Sequence, residues 1–405
     1  MIWCPSLGMQ SKKVKLIRRA FMEVTKNILY VGVDDTTIDL FESQYPMEEE
    51  IGVSYNSYVI LDDKIAIMDA VDKRGEEEWF ANLKKALGDK TPDYLVVQHL
   101  EPDHSGCVQK LVEKYPSVQV VCSAKAKPML PQFFDFDMTN VLGVAEGDTL
   151  ELGSHTLHFV MAPMVHWPEV MVTYESSEKI LFSADGFGTF GAIKNQIPWE
   201  QEASHYFLNI VGKYGASVQA LLKKAATLEI DKICPLHGPV LSGDLTPYLE
   251  KYQIWSSYEP EIDGILVCHA SAHGNTKKAA EDFAEELKAA GAEVKVLDLC
   301  REDVSEAVEK CFQYKKIVLA AITYDGSLFP AMQDLIYHLS IKNFQNRTIG
   351  LIENGSWAPV SGKKMREQLE AMKNVTVLDE QVTLKTKAHE ENKAQFEALK
   401  KALLA

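Results

Sequence analysis

Along the first half of the chain, short apolar runs rich in β-branched residues alternate with polar turns, and a few stretches carry apolar positions at helical spacing. The pattern predicts a strand over 27–33 ending in the turn Asp34-Asp35, then strands 54–60 and 64–69 joined as a hairpin by Asp62-Asp63. Trp79, Phe80, Leu83 and Leu87 place a helix over 76–87, and Tyr94-Leu95-Val96-Val97 reads as a buried strand. A helix over 106–114, a strand over 118–122 and a helix over 126–134 follow. Two further hairpins pair 149–152 with 155–161 and 171–173 with 179–183. A helical region over 200–229 leads to a short strand at 232–234. Hairpins alternating with helices predict a two-sheet core with helices outside, an αββα sandwich.

After residue 259 the rhythm changes. Five apolar strands, at 264–269, 293–299, 317–322, 348–352 and 375–379, are separated by helical segments at 275–290, 303–312, 331–340 and 361–372. Regular βαβ alternation predicts an open, doubly wound parallel sheet with helices on both faces. The boundary falls at Tyr258-Glu259-Pro260, so the expected organisation is an α+β domain over 22–258 followed by an α/β domain over 259–405. Residues 1–21 carry the basic cluster Lys12, Lys13, Lys15, Arg18 and Arg19 and are expected to be a loosely held extension. A signal peptide would place its basic residues ahead of a long apolar run, which this segment does not do.

Length supports two cores: 405 residues exceed what a single hydrophobic core usually serves. The net charge of −16 argues against a nucleic-acid partner, which needs a basic patch, and fits a docking partner with local positive charge. The seven cysteines are scattered and form no C-x-x-C pair, as expected of reduced thiols in a cytoplasmic protein and not of a zinc ribbon or a four-cysteine iron domain. No run of 18 apolar residues occurs, so no membrane span is expected.

The chemistry concentrates in His99-Leu100-Glu101-Pro102-Asp103-His104, four metal-ligand side chains within six residues at the end of a buried strand. His166, Asp185 and His237 each follow another apolar segment, where a scaffold places chemistry on loops. One histidine after a strand is more often structural than a ligand, and His155, His158, His205, His338 and His389 are read that way. The ordered set is different: H-x-E-x-D-H, then His, Asp and His at intervals of 61, 18 and 51 residues.

This ordering resembles the metallo-β-lactamase fold, whose usual motif is H-x-H-x-D-H, with Glu101 in place of the middle histidine. That substitution, together with the second domain, resembles the flavodiiron proteins (A-type flavoproteins) over roughly residues 22–400. Zinc hydrolases favour imidazole-rich sites, whereas mixed carboxylate and imidazole ligands suit non-haem iron. The resemblance implies two iron ions per chain. His99, Glu101 and His166 would hold the first, and Asp103, His104 and His237 the second, with Asp185 as the bridge. No separate acid or base is assigned.

In the second domain, Ser271-Ala272-His273-Gly274-Asn275-Thr276 joins the first strand to a helix, and small residues and N–H groups at a helix start suit a phosphate. Thr323-Tyr324-Asp325-Gly326-Ser327 and Asn354-Gly355-Ser356-Trp357-Ala358 follow the third and fourth strands, at the ligand crevice of a doubly wound sheet. The three loops resemble those of flavodoxin, which hold FMN, and Trp357 offers an indole face to the ring system. No G-x-G-x-x-G follows a strand, which disfavours a dinucleotide.

The resemblance therefore implies a metallo-β-lactamase-like diiron domain followed by a flavodoxin-like FMN domain. The activity implied is reduction of dioxygen to water or of nitric oxide to nitrous oxide. It also implies a head-to-tail homodimer or dimer of dimers, with each FMN beside the partner's irons. The chain stops about 25 residues after its last expected strand, so a rubredoxin-like or other external electron donor is expected. Two other readings stand beside this one. A zinc hydrolase of the metallo-β-lactamase type fused to a flavodoxin domain is disfavoured by Glu101. A flavodoxin-type electron carrier with an inactive metal domain is disfavoured by the complete ligand set.

Overall fold

The computed structural model describes residues 23–405; the expectation for residues 1–21 lies outside them. Two compact units emerge, one from residues up to Ala203 together with Ala220–Leu249, the other from Ser204–Gln219 and Glu250–Ala405.

The first unit holds two six-stranded sheets. In one, Ile28–Tyr30, Tyr58–Ile60, Ala66–Met68, Tyr94–Val97, Gln119–Ser123 and Val141–Val144 lie side by side in that order. In the other the order is Thr149–Glu151, Thr156–Met161, Met171–Glu175, Ile180–Phe182, Lys232–Cys234 and Leu241–Ser242. Inward side chains of both, among them Tyr58, Met68, Val96 and Val121 from the first and Phe159, Met171, Phe182 and Cys234 from the second, form one core. Leu95 and Val97, which alternate with Val96, are buried too. A strand buried on both faces reads as a continuous apolar run, which is why 94–97 stands out in the sequence.

The hairpins form as the alternation predicts: Tyr58–Ile60 with Ala66–Met68, Thr149–Glu151 with Thr156–Met161, and Met171–Glu175 with Ile180–Phe182, all antiparallel. Other expectations are corrected. Asp34-Asp35 is not a turn but part of the strand Val33–Asp35, which pairs with Val53–Tyr55. Residues 126–134 form turns and the short 3-10 helix Leu130–Gln132, because Pro128 and Pro131 deny the backbone donors an α-helix needs. The ligand stretch is not all loop: Pro102–Ser105 is a single helical turn with proline in its first position, ahead of Val108–Lys114.

The second unit carries a five-stranded sheet in the order Val294–Asp298, Ile262–Ala270, Tyr314–Tyr324, Thr348–Asn354, Thr376–Leu384, every pairing parallel. In chain order this is 2-1-3-4-5, the flavodoxin arrangement, with its switch point beside the first strand. The segment Ser204–Gln219 is fastened to this unit by buried polar contacts. His205 Nε2 meets Ser305 Oγ at 2.9 Å, and Lys342 Nζ donates to the Asn209 carbonyl at 2.6 Å.

Candidate metal centre and flavin cleft

All seven expected ligands of the first unit converge. His99 and Glu101 follow Tyr94–Val97, Asp103 and His104 sit in the helical turn Pro102–Ser105, and Asp185 and His237 follow Ile180–Phe182 and Lys232–Cys234. His166 closes the group from the loop after Thr156–Met161. Their donor atoms form two sets, His99, Glu101, His166 and Asp185 in one and Asp103, His104 and His237 in the other.

Asp185 divides between them. Its Oδ2 lies 3.3 Å from His99 Nε2 and 3.2 Å from His166 Nε2, while Oδ1 lies 3.1 Å from His104 Nε2 and 3.9 Å from His237 Nε2. Glu101 Oε2 is 2.9 Å from His166 Nε2 and 3.2 Å from His99 Nε2, and Asp103 Oδ2 is 3.3 Å from His104 Nε2 and 3.2 Å from His237 Nε2. Among the described residues, both oxygens of Asp185, both of Asp103 and both ring nitrogens of His104 are shielded from solvent without a hydrogen-bond partner. Polar groups buried in that way are costly unless something completes them. Atoms that approach without aligning on one another converge on shared points between them, and the donor set fits two cations bridged by a carboxylate.

Two of the imidazoles are oriented from behind. His99 Nδ1 donates to Glu169 Oε1 at 2.9 Å, and His237 Nδ1 donates to the Ser54 carbonyl at 2.7 Å. Both rings are thereby left with Nε2 as the acceptor that faces the centre, the usual second-layer arrangement of metal histidines. Burial disfavours charge on His99, yet Asp185, Glu101 and Glu169 outweigh it and raise its proton affinity well above the ordinary value. Burial likewise opposes the charge on Asp185, but His104 and His99 hold its carboxyl well below the usual range.

Sequence reasoning missed three residues here. Glu169 reaches His99 from 70 positions away, a pairing that no local spacing marks. Glu42, on the turn between Leu40–Phe41 and Tyr45–Pro46, has its carboxyl pushed up to about 8 by burial and by Glu101. Trp167 stands edge-on to His99, ring centres 5.2 Å apart. Nothing local in the sequence marks the last two.

In the second unit the three expected loops line a single cleft of about 470 Å³. Ser271, Ala272, His273, Asn275, Thr276, Thr323, Tyr324, Asp325, Gly326, Asn354, Gly355, Ser356 and Trp357 all face it, joined by Ile322, Ala358 and Thr386. Gly274 does not line it; at φ 83° it turns the chain into the helix Asn275–Ala289, a conformation that favours glycine. Two hydroxyls are already engaged in building the walls. Thr323 Oγ1 accepts the Val360 and Ser361 N–H groups at 2.9 and 3.1 Å, and Thr276 Oγ1 accepts from Asn354 Nδ2 at 3.1 Å. Trp357 is 93% exposed at the rim, and Tyr324 is 46% exposed. A helix start at the floor and unpacked aromatic faces at the rim fit a phosphate carrying a planar ring system.

Comparisons with known proteins agree with the expected fold class. A family model described as ODP family beta lactamase matches residues 53–238, and one described as a flavodoxin domain matches 266–388. The chain is thus a metallo-β-lactamase-like domain followed by a flavodoxin domain. An uncharacterised protein of Methanocaldococcus jannaschii is 29% identical over 92% of this chain and 95% of its own. The anaerobic nitric oxide reductase flavorubredoxin of Vibrio vulnificus is 28% identical over 93% of this chain and 77% of its own. The rubredoxin oxygen:oxidoreductase of Desulfovibrio gigas superposes with a TM-score of 0.86 at 25% identity, covering 94% of this chain and 96% of that one. In domain order and over nearly its whole length the chain is similar to flavodiiron proteins. Among the described residues, no helix is long and apolar enough to cross a membrane.

Proposed function

We propose that this protein is a flavodiiron oxidoreductase that reduces dioxygen to water or nitric oxide to nitrous oxide, with electrons relayed through FMN from an external donor. The observation that carries the reading is Asp185, whose two oxygens face two matched sets of buried imidazole and carboxylate donors. His99, Glu101 and His166 hold one iron in this reading, Asp103, His104 and His237 the other, and Asp185 bridges them. The loops 271–276, 323–326 and 354–357 hold FMN. When bound, the irons and one reduced FMN together supply four electrons, enough with four protons to take one dioxygen to two waters. Two nitric oxides become nitrous oxide and water with two electrons and two protons.

The chain's own residues define the reaction space. Trp167 edges against His99, and Phe41 lies edge-on to His237 with ring centres 5.5 Å apart, so apolar rings flank these two buried ligands. Charges interact more strongly where water is excluded. The D. gigas relative is named for rubredoxin and the V. vulnificus relative for nitric oxide, which supports a rubredoxin-like donor and keeps both gases as substrates. The working form is a cytoplasmic head-to-tail homodimer, and the covalent boundary lies near Glu259.

Metal and flavin analysis of the purified protein tests the reading, followed by consumption of each gas by the reduced protein. Two irons and one FMN per chain with turnover of either gas is expected. Zinc in place of iron, or no turnover with a competent donor, would sink it.

A further inference from the structure

The two ligand sets match in composition: each offers two imidazoles and one carboxylate, and each faces one oxygen of Asp185. What lies behind them does not match. His99 Nδ1 donates to Glu169 Oε1 at 2.9 Å, and the same oxygen accepts the Leu100 N–H at 3.0 Å. The Glu169 side chain is fully shielded from solvent, and its Oε2 has no hydrogen-bond partner among the described residues. On the other side, His237 Nδ1 donates to a neutral acceptor, the Ser54 carbonyl, at 2.7 Å. Asp69, a second buried carboxylate nearby, accepts two hydrogen bonds from Gln98 at 2.7 and 2.8 Å. It interacts with both His104 and His99, but burial pushes its carboxyl up to about 6 while Glu169 is held below the usual range, so its negative charge is the less firmly held of the two.

Resting on the reading that the site holds two irons, we propose that Glu169 makes them inequivalent. The iron held by His99, Glu101 and His166 has the lower reduction potential and stays ferric after its neighbour has been reduced. A carboxylate hydrogen-bonded to a ligand imidazole raises that ligand's basicity. A carboxylate charge shielded from solvent is weakly screened and favours the more positive metal. Glu169 touches no reacting atom; it is a positioning residue that acts through His99.

A redox titration of the holoprotein tests this, with the mixed-valent irons followed by electron paramagnetic resonance and the flavin by absorbance. Glu169→Gln keeps the shape and an acceptor oxygen while removing the charge. The lower iron step is expected to move up while the upper iron step and the flavin steps stay. The comproportionation constant of the mixed-valent pair then falls about tenfold, or ~59 mV for a one-electron couple. Glu169→Asp keeps the charge and is expected to hold the constant near its original value. An unchanged constant in the Gln variant overturns the proposal, and a larger one assigns the charge to the other iron. Iron lost from the Gln variant, or an Asp variant that falls as far as Gln, reduces Glu169 to a strut. Iron content of the unsubstituted protein is measured first, because absence of iron there sinks the site reading itself.

Discussion

Asn56 grips the loop that carries His237 from three directions. Its N–H donates to the Leu236 carbonyl, and its carboxamide donates to the Pro235 and Gly238 carbonyls, each at 2.8 Å. Tyr30 OH donates in turn to Asn56 Oδ1 at 3.1 Å, and Ser54 Oγ accepts the Gly238 N–H at 2.7 Å. Gly238 has φ 79°, and a Cβ there would sit 2.3 Å from Thr189 Cγ2, so the residue after the ligand must be glycine. Asn56→Ala strands two buried carbonyls. It is expected to cost about 2–4 kcal/mol in denaturant unfolding and to lower the iron content below two while FMN binding persists. An unchanged midpoint with full iron would refute that role. None of this was legible in the sequence: Asn56 sits inside a strand-like run, and its partners lie some 180 positions away.

Strands, hairpins and the flavin loops were legible because each follows from a local signal, either alternation with a turn between or an apolar run buried on both faces. What was not legible depends on distant neighbours. Val141–Val144 reads as a weak strand alone, with Leu142 exposed and Gly143 in the middle, and forms because Gln119–Ser123 offers a parallel edge. His155 lies outside both donor sets, and its role needs two other turns. Its Nδ1 lies 2.7 Å from Asp62 Oδ2 and its Nε2 lies 3.1 Å from Glu178 Oε1, which clamps one hairpin turn to the others. Burial lowers the proton affinity of His155, but Glu178 and Asp62 outweigh it and raise its pKa. Burial would raise Asp62, but hydrogen bonds from His155 and neighbouring N–H groups hold its carboxyl below the usual range. The Asp62 contribution is therefore present above its unfolded value of about 3.9 and is lost as pH falls through the lower folded value. The His155 contribution is complete below about 6.5 and is lost as pH rises through the raised folded value. A double-mutant cycle between Asp62→Asn and His155→Ala should give a coupling of about 1–2 kcal/mol near pH 5.5, after allowance for solvent screening, and clearly less near pH 9. A coupling that grows with pH would contradict this account.

Across the whole molecule, the chemistry divides as the contacts do. Every metal candidate belongs to the first unit, and every residue lining the flavin cleft belongs to the second. Bare, the first unit brings Glu101, Asp103 and Asp185 together in a chain that already carries a net charge of −16. Cations at that point relieve repulsion in the folded state alone, because the loops that supply the ligands separate on unfolding. A ligand at a thousand times its dissociation constant stabilises the form that binds it by about 4 kcal/mol. Chelating the iron is therefore expected to lower the calorimetric transition of the first unit by that order. Flavin release, followed by the recovery of FMN fluorescence on heating, should keep its temperature, since no flavin-cleft residue contributes to the metal set. Removing FMN should do the reverse. If chelation moved flavin release and the calorimetric transition down together by equal amounts, the two sites would share one cooperative unit, and the assignment of separate sites to separately stabilised units would fail.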